Sequence, residues 1–140
     1  MVGDWIRGKK DDLLEANRLV LDEWIGRRIN GIVDDESRVV GRVVLEEGGR
    51  IINSRVRGPV VVGRGTVIEN SFIGPHTSIG EDCVITHSAL EHCVVLDGVK
   101  LEGVERMQDR VLGRNAQVRC IAENHRTLRL LIGDDTEVLL

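Results

Sequence analysis

From Val39 onward the apolar positions keep time. Val39, Leu45, Ile51, Val56, Val62, Ile68, Ile73, Ile79, Ile85 and Leu90 follow one another at intervals of 6, 6 and 5, three times over, so each set spans 17 residues. A helix would need steps of three and four, and a plain strand would need strict twos. A step of six fits a short flat strand and a corner, and three such steps make one coil. Fixed periodicity of this kind marks a solenoid. The phrases Ile51–Ser54, Val67–Ser71 and Val84–Ser88 repeat at the same 17-residue period, and their Asn-Ser or His-Ser pairs mark the short five-residue side.

Alternate strand positions share a face. The residues two before each aliphatic are Val43, Gly49, Ser54, Val60, Thr66, Ser71, Thr77, Cys83 and Ser88, nearly all small. A narrow triangular tube needs that: one aliphatic pointing inward per side and little bulk beside each corner. The pattern is a hexapeptide repeat and predicts a parallel β-helix. Leu90, Val95, Leu101 and Met107 carry the period on, with Leu112 and Val118 after them, which makes about five coils.

The rest of the chain is organised around this tube. Asp11 to Ile25 reads as a helix, with Leu13, Ala16, Val20 and Trp24 on one stripe and Leu14, Leu21 and Ile25 beside it. Two aspartates suit its start and Gly26 its stop. Residues 26–38 are polar and read as a linker. The division expected is residues 1–38 for helix and linker, 39–123 for the β-helix, and 124–140 for a cap over the open end or an added edge strand.

Composition narrows the function. The 140 residues carry 19 Lys and Arg against 23 Asp and Glu, a net charge of −4, and only Trp5, Trp24 and Phe72 as aromatics. Neither the basic excess nor the stacking platforms of a nucleic-acid binder are present. No apolar run reaches membrane-spanning length, and the first residues have no signal-peptide core. A cytoplasmic protein is expected. Cys83, Cys93 and Cys120 lack metal-ligand spacing, and no metal is expected. Cys83 and Cys93 fall on small inward positions.

The helix "DDLLEANRLVLD", the repeat "VVLEEGGRIINSRVRGPVVVGRGTVIENSFIGPHTSIGEDCVI" and the tail "TLRLLIGDDTEV" together resemble the C-terminal region of long-form glucose-1-phosphate thymidylyltransferases. The resemblance implies a left-handed parallel β-helix, and the hand comes from the resemblance alone. It also implies a catalytic domain that the 140 residues do not contain. The family's glycine-rich "GGxGTRL" loop is absent, and where the family has Asp-Thr-Gly before the helix this chain has Ile6, Arg7 and Gly8. Nucleotide transfer by this chain alone is not expected.

Two functions follow. One is a non-catalytic assembly module that forms a homo-oligomer, a trimer in the expectation, or docks a nucleotidyltransferase subunit. Its surface would be the residues just before the core aliphatics: Val44, Val61 and Val94 on one side of the tube, Val67 and Val84 on the next. Arg38, Arg55 and Arg106 make the third side mostly basic, interrupted by Phe72. No cofactor is expected for such a module. The other is an acyltransferase acting on a sugar phosphate or nucleotide sugar with acetyl-CoA, in which a histidine serves as base. Its candidates are His76, His87, His92 and His125. His87 stacks with Asn53 and Asn70 as a corner residue, and no carboxylate is placed by spacing to orient His87 or His92.

Overall fold

The computed structural model describes residues 2–120 and 137–139. It is a parallel β-solenoid of about five coils with a single helix. Its strands stack into three flat sheets, here called faces A, B and C, of six, seven and five strands. Every pairing is parallel and most hold the 17-residue register, as in Val43 beside Val60 and Val60 beside Thr77 on face A. One coil is a residue shorter. Ser78 pairs with Val94, 16 residues on, and the full step returns when Leu90 pairs with Met107.

The core is the predicted series. Leu45, Ile51, Val56, Val62, Ile68, Ile73, Ile79, Ile85 and Leu90 are all buried, and so are the small residues two before them, including Ser54, Thr66, Ser71, Thr77, Cys83 and Ser88. The hydroxyls have a definite task. The corner between faces B and C is turned by Asn53, Asn70 and His87 at φ of 44°, 51° and 49°, left-handed backbone that Asn and His tolerate better than most. The turn takes the following N–H out of the strand ladder. Ser71 N–H donates to Ser54 Oγ at 3.1 Å, Ser88 N–H to Ser71 Oγ at 3.1 Å, and Val104 N–H to Ser88 Oγ at 3.1 Å. Each hydroxyl in turn donates to the carbonyl two residues back, at 2.7 to 2.9 Å. The serine column is therefore a hydrogen-bond ladder inside the tube, as buried polar groups require.

Two expectations need correction. Residues 26–38 are not a mere linker. Arg28–Ile29 pairs with face A beside Val44 and Leu45, and Ile32–Val33 pairs with face B beside Arg50 and Ile51. These residues look polar because they form the terminal coil, which has less inside to fill. The helix runs from Val2 to Trp24 and starts earlier than its apolar pattern suggested. Among its described side chains the buried positions are Leu14 and Leu21, while Leu13, Val20 and Trp24 of the expected stripe are exposed, Trp24 by 79%. Polar partners set this rotation. Asn17 Nδ2 donates to the His76 carbonyl at 3.1 Å, the Ser78 hydroxyl donates to Asn17 Oδ1, and Arg42 donates to the Asp22 carbonyl at 2.6 Å.

At the far end Glu137–Leu139 pairs with Gln117–Arg119 and extends face B by one strand. No described helix is long and apolar enough to cross a membrane.

Candidate functional site

The corner between faces C and A brings two histidines together. His76, His92 and Asp109 turn it on successive coils at φ of 62°, 51° and 54°. The rings of His76 and His92 meet edge to face with centroids 6.3 Å apart. With Arg18, Pro75, Glu91, Gln108 and Asp109 they line a hollow of about 290 Å³.

Each histidine has a carboxylate, which spacing had not revealed. His92 Nδ1 bonds Asp109 Oδ1. Asp109 lies 17 residues after His92, so the repeat register contained the signal. His76 Nε2 lies 2.8 Å from Asp22 Oδ1. Asp22 is on the helix, and nothing in the sequence says how the helix is rotated on the tube. The hydrogen bond from His76 holds the Asp22 carboxyl below its usual range, with help from the nearby charges of His76, Arg18 and Arg42.

The two pairs have different chemistry. His76 joins a polar seam of Asn17, Ser78, Asp22 and Arg42 that ties the helix to face A. A neutral His92 that gives its Nδ1–H to Asp109 would leave Nε2 the lone pair a general base requires. That nitrogen is buried and has no hydrogen-bond partner. In this arrangement it reaches no acceptor in solvent. His87 is exposed on the other corner, continuing the column in which Asn53 Nδ2 donates to Asn70 Oδ1. His125 lies outside the described residues.

Cys83 and Cys93 are packing groups. Burial pushes the Cys93 thiol up to about 11 and also raises that of Cys83, so neither is a ready thiolate. Among the described residues no cluster could hold a metal ion.

The five valines named for the outer surface fall into two groups. Val44, Val61 and Val94 stand on face A, the side where the helix lies, and Leu14 packs with Val94 and Val111. Val67 and Val84 stand side by side on face B. Val84 is 38% exposed there and Ile32, at the terminal coil, 58%.

Comparison with known proteins decides the kinship. No family model matches. A glucose-1-phosphate thymidylyltransferase of Streptomyces griseus is 46% identical over 127 residues, covering 91% of this chain and 36% of that protein. One of Streptomyces antibioticus is 41% identical over 131 residues, covering 94% of this chain and again 36% of its own length. The chain is homologous to the C-terminal part of the glucose-1-phosphate thymidylyltransferases. It spans little more than a third of the thymidylyltransferases it matches. Among solved structures, one from Bacillus cereus described as a candidate acetyltransferase aligns over 74% of each chain at 12% identity and a TM-score of 0.34. At that score the likeness carries no argument about function.

Proposed function

We propose that this chain is a non-catalytic assembly and interaction module related to the C-terminal part of glucose-1-phosphate thymidylyltransferases. It would form a cytoplasmic homo-oligomer, with a trimer as the expected order, or dock a nucleotidyltransferase subunit. The observation that carries this reading is uncovered apolar surface on a rigid tube. On face B Val84 is exposed with Val67 beside it, and Ile32 is exposed at the terminal coil with Arg50 between it and Val67, while Leu13, Val20 and Trp24 are exposed on the helix away from its seat. Exposed apolar side chains gathered on the faces of a tube mark an interaction surface. The test is an assay for thymidylyl transfer from dTTP to glucose 1-phosphate by folded protein, read as pyrophosphate release. No turnover is expected, and measurable turnover would contradict the reading.

One observation favours a second reading, acyl transfer from acetyl-CoA to a sugar phosphate or nucleotide sugar. It is the His92–Asp109 pair, whose Nε2 has no hydrogen-bond partner among the described residues, and the reading requires that buried nitrogen to be uncovered for the acceptor. Under this reading, mass spectrometry after incubation with acetyl-CoA and amino-sugar phosphates finds an acetylated product that the His92→Ala variant fails to make. Absence of product from the wild type removes the acetyl version.

A further inference from the structure

Face C carries three arginines on two adjacent coils. Arg38 and Arg55 are directly opposite one another in register, and Arg57 lies two residues along from Arg55 and so on the same side. Neighbouring coils are about 4.8 Å apart. Like charges placed opposite one another on a sheet are destabilising. All three side chains are exposed, and among the described residues none has an ion-pair or hydrogen-bond partner. Other arginines of the chain are engaged: Arg18 with Glu15 and Asp22, Arg28 with Glu46, Arg42 with Asp22 and Arg119 with Glu102.

What surrounds the three arginines says what they fit. Val40, 48% exposed, and Phe72, 39% exposed, lie in register beside Arg57 and Arg55. The sheet is flat, and a small anion there would meet no walls. The net charge of −4 and the lack of stacking aromatics are wrong for a nucleic acid. Arginine set among aromatic and aliphatic side chains is the composition of a protein interface.

A complementary surface exists on the same chain. On the side of the helix turned from face A, Asp12 and Glu23 are exposed and, among the described residues, without partners, with Ala16 and Leu19 between them and Leu13, Val20 and Trp24 alongside. Among the described side chains, the nearby cations are already occupied, Lys10 by Asp11 and Arg18 by Glu15 and Asp22. This surface is acidic and apolar where face C is basic and apolar. The two cannot meet within one molecule, because the helix is seated on face A.

We propose that face C of one copy receives the outer side of the helix of a second copy, with Arg38, Arg55 and Arg57 set against Asp12 and Glu23. The contact is heterologous, so it closes into a ring or continues as a filament. The proposal rests on the assembly reading above and names the surfaces that reading would use.

The test is a charge swap read by native mass spectrometry and sedimentation of the full chain. Arg55→Glu with Arg57→Glu, and separately Asp12→Arg with Glu23→Arg, change exposed side chains. Circular dichroism checks that each variant keeps the fold. Each double variant alone self-associates roughly tenfold or more weakly than wild type, and mixing the two restores the larger species. Added salt weakens the wild-type assembly, since exposed charges are screened beyond about 10 Å at 0.1 M. An oligomer untouched by both variants overturns this proposal and leaves the assembly reading standing. A monomeric wild type overturns both. Binding of a single-stranded RNA oligonucleotide that is lost only in the arginine variant assigns the face to nucleic acid and also overturns it.

Discussion

At the scale of single residues, the corners of the tube explain most of the polar positions. Asn53, Asn70, His76, Asp82, His87, His92, Asp109 and Asn115 all sit at positive φ. Histidines that look like chemistry in the sequence therefore share a backbone duty with Asn and Asp. That duty was legible for His87, because Asn53 and Asn70 stand at the same place one and two coils back. The partners of His76 were not legible, since they come from the helix, outside the repeat. The serine ladder supports a sharper expectation. In Ser71→Ala the Ser88 N–H loses its acceptor inside the tube, so urea unfolding should show a loss of about 1–3 kcal/mol. Asp22 supports a pH expectation. Its carboxyl is held below its usual range in the folded protein by the bond from His76. A depressed folded value means stabilisation that is present above the unfolded value, about 3.9, and is lost as pH falls through the folded one. Thermal midpoints measured from neutral to acid pH should fall more steeply for wild type than for Asp22→Asn, and parallel curves would show that the pair adds nothing.

At the scale of elements, the strands were readable because three constraints agreed: the 17-residue step, the inward aliphatics, and the small residues beside the corners. The helix was readable as a helix, but not in its orientation. Its apolar residues are spread over two flanks, and hydrophobic periodicity alone favoured the flank that includes Trp24. The polar seam through Asn17 and Asp22 decided for the flank with Leu14 and Leu21, at 3% and 1% exposure. Each of these leucines contributes roughly 1.5–3 kcal/mol by leaving water. Leu21→Ala should loosen the helix while the coils stay intact. In hydrogen exchange, helix amides should then lose protection while the face B strands keep theirs. Equal loss in both would show that helix and tube unfold as one unit. The terminal coil was misread for a related reason: Ile32–Val33 joins face B through backbone bonds, such as Ile32 N–H to the Gly49 carbonyl at 2.9 Å, and such bonds leave little mark on the choice of side chains.

At the scale of the whole molecule, the described residues form a tube clad by the helix on one face and bare on two. The helix lies on face A, face B presents Ile32, Val67 and Val84, and face C presents Arg38, Arg55 and Arg57 with Val40 and Phe72. The sequence pattern told the inside of the tube from its outside, but which outer face the helix covers depends on contacts between distant segments. The homologous thymidylyltransferases are about two and a half times as long, so most of their length has no counterpart in these 140 residues. The central claim is that the bare faces serve assembly. Sedimentation velocity of the wild-type chain over a wide concentration range tests it most directly, run beside a variant with Ile32→Asp and Val84→Asp. The account predicts a species that is a whole multiple of 15.6 kDa, shifted toward monomer in the variant. A wild-type chain that stays at 15.6 kDa at every concentration would contradict the claim of self-assembly.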